Sequence, residues 1–462
     1  MTLISSVSGI RGTIGGKVNT NLTPVDVVSF AAAYGSWLKT TLQTRCTVVI
    51  GRDARISGPM VQELVQQTLI ALGIDVIDVG LSTTPTVEME VVRQKAQGGI
   101  ILTASHNPKQ WNALKLLNSK GEFISQADGE LLMKFVSNQT FEFSEVNSLG
   151  SITQVDHALT AHIDAILAHP LVDVAAIKNK GLKVVVDGVN SSGGVAVPML
   201  LEKLGVHTTP IHCTPNGEFP HNPEPLKENL TDLSAAVSSS DAQLGIAVDP
   251  DVDRLVFIDE HGVLFGEEYT LVCCADYVLQ HQTGAVVSNL SSSRALADLA
   301  NTYQVPYYAS AVGEVHVVEK MKSVNAVIGG EGNGGVILPS LHYGRDALIG
   351  IALFLSYLVK ENITVSKLKT RYTNYLMRKQ KIALSPDWDV DALLAFVVNA
   401  FHSERVTTID GVKIDFDDSW VHLRKSNTEP IIRLYAEASN ETVIEERIKT
   451  IEAAIAAFVA SA

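Results

Sequence analysis

Cysteine is scarce in this chain: four in 462 residues, at Cys46, Cys213, Cys273 and Cys274. None falls in a C-x-x-C pair or a zinc-type spacing. A disulfide framework and a zinc module are therefore excluded, and the thiols read as reduced, as in a cytoplasmic protein. Excess positive charge is missing too. The net charge of -14 argues against a general basic surface for nucleic acid. An anionic ligand must then be held by a local group of basic side chains. Long apolar runs are also absent. The most apolar one, 347–359, is too short to cross a bilayer and contains Gly350, Ser356 and Tyr357, so it reads as a buried helix and no membrane partner is expected. The opening MTLISSVSGIRG has no basic segment ahead of an apolar core, so no secretory signal is expected. No stretch is low in complexity. Nothing in the composition sets an oligomeric state.

What is present is apolar content of 46%, enough for several cores. The length suggests roughly two to four domains. Strand and helix patterns alternate over the first ~150 residues. Cys46 to Gly51 reads as a strand, and a helix opens at Ser57 and stops at Gly73. A strand from Ile74 to Val79, a Thr-Thr-Pro-Thr turn and another helix to about Lys95 follow. This is a βαβ pattern, which favours a parallel sheet covered by helices. It recurs from Leu182 to Val248, and a third unit is expected to begin with a hairpin around Asp259-Glu260-His261-Gly262. The last ~95 residues change to short strands between two helices, a small α+β domain. The expected boundaries lie near residues 150, 256 and 368, giving domains 1–150, 151–256, 257–368 and 369–462.

Polar loops follow hydrophobic strands in each of the first three units. In open α/β sheets, ligands bind beyond the carboxyl ends of strands, so the loops can converge on one cleft. The first loop is Thr103-Ala104-Ser105-His106-Asn107-Pro108, after the strand 99–102. Alone, Ser105 reads as a turn serine and His106 as a scaffold residue. No G-x-S-x-G or triad pattern activates the serine. Lys115, in the returning strand, either snorkels to solvent or reaches a phosphoryl group. It shuttles a proton only if its pKa is lowered.

The second loop is Asp249-Pro-Asp251-Val-Asp253-Arg254. Three carboxylates at alternate positions can turn to one point, where a hard dication such as Mg²⁺ offsets their repulsion. A calcium loop fails because Arg254 stands where a glycine is required. The plainer alternative, a solvated acidic turn, is disfavoured by apolar Val248 and Leu255 on either side. The third loop, Gly330-Glu331-Gly332-Asn333-Gly334-Gly335, has neither the P-loop lysine nor a dinucleotide spacing. Glu331 and Asn333 can face one cleft and grip sugar hydroxyls, but a glycine-rich turn explains the pattern equally well. Arg424-Lys-Ser426-Asn427-Thr428-Glu-Pro-Ile-Ile-Arg433 gathers two arginines, two hydroxyls and an amide around a turn, a set suited to phosphate. Arg433 interrupts an apolar strand, where an unpaired charge is costly. Gly9-Ile10-Arg11-Gly12 adds one more phosphate arginine.

TASHNP with Lys115, DPDVDR, GEGNGG and RKSNTEPIIR, in this order and with SGIRG at the start, resemble the α-D-phosphohexomutases over essentially the whole chain. The resemblance implies three α/β domains and a C-terminal α+β domain, heart-shaped around a central cleft. The four domains would carry, in turn, the phosphoserine, metal, sugar and phosphate loops. It implies phosphoserine at Ser105 and Mg²⁺ held by Ser105, Asp249, Asp251 and Asp253. His106, Lys115 and Arg254 fall at catalytic positions. Arg11, Glu331, Asn333, Arg424, Ser426, Asn427, Thr428 and Arg433 fall at substrate-binding ones. The implied reaction interconverts hexose 6- and 1-phosphates through a hexose 1,6-bisphosphate. One departure stands out: Gly335 replaces a histidine that many relatives carry, and His342 or His316 would have to substitute for it. The GEGNGG form resembles the archaeal-type branch, which puts glucosamine phosphate ahead of glucose and mannose phosphates. A non-catalytic sugar-phosphate sensor and a Mg²⁺-dependent sugar phosphatase are the alternatives of other classes.

Overall fold

The computed structural model describes residues 2–6, 9–42, 45–385, 388–426 and 431–461. Four sheets follow one another along the chain. The first has seven strands, ordered Ile4–Ser6, Gly9–Thr13, Trp111–Leu117, Gly98–Leu102, Thr47–Arg52, Asp75–Leu81 and Ile152–Gln154. Gly98–Leu102 runs parallel to Thr47–Arg52 and antiparallel to Trp111–Leu117. All five of its residues are buried. A strand covered on both faces carries a continuous apolar run, as Gly-Gly-Ile-Ile-Leu does. Its central place puts the serine loop in mid-sheet.

The Thr-Thr-Pro-Thr stretch, expected as a turn, is instead a helix start. Thr83 Oγ1 accepts from Thr86 N at 3.1 Å, and the helix Thr84–Arg93 follows. Pro85 sits in the first turn, where its missing N–H costs nothing.

The second sheet is ordered Leu255–Ile258, Leu244–Val248, Lys183–Asp187 and His207–Ile211. This corrects one expectation: the hairpin at 259–262 closes the second unit, because Leu255–Ile258 pairs antiparallel with Leu244–Val248. The third sheet is Tyr307–Ser310, Val286–Asn289, Ile328–Glu331 and Gly335–Ile337. The fourth is fully antiparallel: Leu376–Ala383, Ile431–Ala438, Ser419–Lys425, Val412–Asp415 and Arg405–Thr407. The fold is thus three mixed α/β units followed by an α+β domain.

The cores are distributed unevenly. The first and fourth units have cores of their own. The second and third share one, which runs from Ile163 and Val186 to Val286 and Leu353. The helix Ala347–Glu361 lies in this shared core and is buried from Ala347 to Leu358. Each such aliphatic side chain contributes about 1.5–3 kcal/mol on burial. Among the described residues, no helix is long and apolar enough to cross a membrane.

Candidate active site

Ser105 is buried and takes the left-handed conformation, φ +48°, which costs energy for a residue with a side chain. Its surroundings compel it. The Ser105 amide donates to Thr103 Oγ1 at 2.9 Å, and Thr103 donates to Asp53 Oδ2 at 2.6 Å. Arg55, fully buried, pairs with Asp53 at 3.0 Å. Its guanidinium donates to the carbonyls of Ser105, Asn107, Pro108 and Trp111. Arg55 therefore fixes the whole loop from beneath. The Ser105 hydroxyl points at the second loop and donates to Asp249 Oδ2 at 2.6 Å.

Asp249, Asp251 and Asp253 are all buried, with one carboxylate oxygen of each within 4.8 Å of the others. Val252, at φ +63°, turns the loop. Asp249 Oδ1 accepts from the amides of Asp253 and Arg254 at 3.2 and 3.1 Å. Burial, then Asp253 and Asp251, push the Asp249 carboxyl well above its ordinary range. Asp253 goes the other way: burial would raise it, but Arg345, Lys115 and Arg254 hold it far below. Asp251 Oδ1 and Asp253 Oδ1 are buried with no hydrogen-bond partner. Bare carboxylate oxygens beside a serine hydroxyl are a donor set that fits a hard divalent cation.

Lys115 neither snorkels nor loses its charge. It is buried, with Nζ at 2.7 Å from Asp251 and 3.2 Å from Asp253. Burial would lower its pKa, but those carboxylates outweigh it and raise the value, contrary to the condition for a proton shuttle. His106 behaves oppositely. Burial, then Arg254 and other cations, lower its pKa well below the usual value, leaving a neutral ring with Nδ1 at 3.4 Å from Ser105 Oγ.

A cavity of about 430 Å³ opens over these loops. Arg11, His106, Arg254, Glu331, Asn333, Arg424 and Arg433 line it. An adjoining cavity of about 240 Å³ is lined by Ser105, His106, Lys115, Arg254 and Arg345, among others. Burial, then Arg433 and Arg254, lower the pKa of Arg11: three guanidinium groups press on one another. The Nε atoms of Arg11 and Arg254 are buried without hydrogen-bond partners. Such an arrangement is relieved by an anion. Arg254 also donates to Glu224 at 3.1 Å, and Arg424 Nε lies 2.9 Å from Asp410. Ser426 ends its described segment. Asn427 and Thr428 lie outside the described residues.

Glu331 is already engaged, accepting from Asn289 Nδ2 at 2.8 Å, Gly313 N at 3.1 Å and Arg345 Nη1 at 3.0 Å. Arg345 also grips Asp253 at 2.7 Å and Glu314 at 2.9 Å, tying the 330–335 loop to the aspartate loop. Gly334, at φ +90°, lets the loop pass against Leu255, whose carbonyl oxygen would lie 2.4 Å from an added Cβ. His342 and His316 line neither cavity. Sequence reasoning missed Arg55 and Arg345. The signal available was a charged residue hard against a Gly-bounded turn or an apolar helix.

A buried serine hydroxyl on an aspartate cluster, facing a wall of arginines across a cavity shared by four units, defines a phosphoryl-transfer enzyme. Comparison with known proteins gives the family. The chain matches "Phosphoglucomutase/phosphomannomutase" alpha/beta/alpha domain I over residues 3–143, domain II over 160–262, domain III over 266–375 and the C-terminal domain over 376–455. It is 35% identical over 444 residues to a phosphoglucomutase/phosphomannomutase of Thermococcus kodakarensis, covering 95% of this chain and 96% of that protein. It is 31% identical over 461 residues to a phosphoglucosamine/phosphogalactosamine mutase of Sulfurisphaera tokodaii, covering 98% and 99%. A phosphoglucomutase/phosphomannomutase family protein from Burkholderia thailandensis superposes with TM-score 0.85 at 26% identity, covering 98% of each chain. The chain belongs to the phosphoglucomutase/phosphomannomutase family, enzymes of the isomerase class that act as intramolecular phosphotransferases.

Proposed function

We propose that this chain interconverts hexose 6-phosphate and hexose 1-phosphate, with glucosamine phosphate as the preferred sugar. The observation that carries the reading is the Ser105 hydroxyl at 2.6 Å from Asp249, in a cavity that Arg11 and Arg254 also line, with Arg433 beside them in the adjoining one. Phosphoserine at Ser105 donates its phosphoryl group to the free hydroxyl of the bound sugar phosphate. The resulting 1,6-bisphosphate turns over in the cavity, and the other phosphate returns to Ser105. Arg11, Arg254, Arg424 and Arg433, with Ser426, Asn427 and Thr428, hold the remote phosphate in both orientations. Lys115 stays protonated and offers fixed positive charge to the transferring group. The neutral His106 ring is the base that the cleft offers the sugar hydroxyl. Mg²⁺ held by Asp249, Asp251, Asp253 and the Ser105 oxygen would supply a charge clamp on the phosphoryl oxygens.

Glu331 and Asn333 face the sugar. Glu224 lines the same cavity, and a second carboxylate there suits an ammonium-bearing sugar; Glu268 lines it too, but burial pushes its carboxyl well above the usual range. The Sulfurisphaera relative's name agrees with an amino sugar. The Thermococcus relative supports the second reading, a phosphoglucomutase/phosphomannomutase. A side-by-side assay with glucosamine, glucose and mannose 6-phosphates, plus a trace of bisphosphate, separates them. The expected result is fastest turnover of glucosamine 6-phosphate. Binding without interconversion, or inorganic phosphate released as fast as substrate is lost, overturns the mutase reading.

A further inference from the structure

Next to the aspartate loop lies a second cluster of metal-binding side chains, and none of them lines either cleft cavity. His162 Nε2, from the helix Ala158–Leu167, is 2.9 Å from Asp346 Oδ2, and His342 Nε2 is 3.3 Å from the same oxygen. The other ring nitrogens face outward. His162 Nδ1 meets Thr86 Oγ1 at 2.9 Å, and His342 Nδ1 lies 3.4 Å from Glu88 Oε2. Glu88, His162 and Asp346 are 1%, 2% and 0% exposed. Both Glu88 oxygens and His342 Nδ1 are buried without a hydrogen-bond partner.

The cluster is short of positive charge. If both Nε2 atoms donate N–H to Asp346, His342 Nδ1 turns a lone pair toward Glu88, and only a proton on Glu88, which its burial favours, or a cation in the cluster keeps two electron-rich atoms from facing each other out of water. A metal ion removes the conflict. Both Nε2 lone pairs and Asp346 Oδ2 then meet at one ion. The Nδ1–H groups turn outward to Thr86 and Glu88, the usual outer partners of ligating histidines. The two spacings to Asp346 Oδ2, 2.9 and 3.3 Å, lie near the roughly 3.3 Å that tetrahedral bonds of about 2.0–2.1 Å set between ligand atoms, and all three ligand atoms lie within 4.8 Å of one another. Gly344 makes room for the outer carboxylate: a Cβ there would lie 1.8 Å from Glu88 Oε2.

We propose that His162, His342 and Asp346 bind a divalent transition-metal ion of the zinc type, with Glu88 and Thr86 as outer hydrogen-bond partners. Two imidazoles select such an ion over Mg²⁺. The ion ties together the first unit through Glu88 and Thr86, the second through His162 and the third through His342 and Asp346. It does so at the base of the aspartate loop, where Ala347 N donates to Val252 O at 3.1 Å and Thr84 N to Asp251 O at 2.9 Å. Its role is structural.

The test uses the full chain, stripped with a chelator and returned to excess Mg²⁺ so that the aspartate loop is occupied. Titration with Zn²⁺ or Co²⁺ is expected to load a single tight equivalent and raise the melting temperature. X-ray absorption should show two imidazoles around the ion. His162→Gln with His342→Gln should abolish that equivalent, while Asp251→Asn retains it. Failure of the wild-type protein to take up the ion, or uptake that only Asp251→Asn removes, overturns the proposal. If the histidine variant does not fold, the wild-type spectrum decides, because a bound ion without imidazole scattering also overturns it.

Discussion

The second and third units are joined through one apolar core, whereas the fourth has a core of its own and docks through polar contacts. Those contacts include Ser291 Oγ to His422 Nδ1 and Arg294 N to Glu437, each at 2.9 Å, while Tyr372 and Tyr375 of the connecting segment pack against the shared core. Val312 N donates to Asp410 at 2.9 Å, and Tyr375 OH to Asp298 at 2.6 Å. Separating an apolar core exposes surface that water cannot satisfy, but water can replace a hydrogen bond at a net cost of only about 0.5–1.5 kcal/mol. The wall that carries the serine and the aspartates is therefore set in advance. By this comparison the wall that carries Arg424 and Arg433 would open at the lower cost, as the turning intermediate proposed above would require.

The sharpest way to break this contrast is at the preset wall. Ser105→Ala should cut mutase turnover by at least ~10³-fold, with the phosphoryl mass on the intact protein lost. Normal turnover would remove Ser105 from the mechanism. Arg55→Met leaves Asp53 without its ion-pair partner in the core and the loop carbonyls without their donor, so about 3–5 kcal/mol of stability should go, read as a lower urea midpoint. A change under ~1 kcal/mol would mean the loop holds itself.

At the docked wall, acid is the probe. Burial lowers the pKa of His422 to about 4, with smaller contributions from its neighbours. The unfolded ring takes up a proton near 6.5 and the folded one near 4. Stability from the neutral ring is thus full above pH ~6.5 and lost progressively as pH falls toward 4, by up to ~3 kcal/mol. His422→Gln should flatten that part of the pH–stability curve. An unchanged curve would locate the acid sensitivity elsewhere. Arg424→Gln should act least, raising KM about 10–100-fold through one lost charge-assisted contact, with Mg²⁺ affinity unchanged. A large loss of kcat alone would instead place Arg424 at the reacting group.

The same contrast explains what the sequence reveals. SHNP and DPDVDR are readable because each completes its geometry within six residues. Arg55 works on carbonyls at 105–111, and Arg345 on Asp253 and Glu314, so only folding brings their partners near. The edge strand Leu376–Ala383 carries Arg378, Lys379 and Lys381, which hides its alternation. The hairpin at 259–262 reads from sequence as the start of the third unit because a sheet edge looks the same from either side of a boundary. The histidine cluster shows only the four-residue step from His342 to Asp346, since Glu88, His162 and that pair come from three units.

The helix Ala347–Glu361 has a consequence for synthesis. It fills a core whose other half, around Ile163 and Val186, is translated far earlier. The first unit, with a core of its own, can fold as it leaves the ribosome. The second can cover only one face of its sheet with its own residues, Leu233 and Val237 among them. Its last strand ends at Ile258, yet its other apolar face waits for about 100 further residues, roughly 5–20 s at typical elongation rates. During that interval the nascent chain carries an uncovered surface for a chaperone to shield.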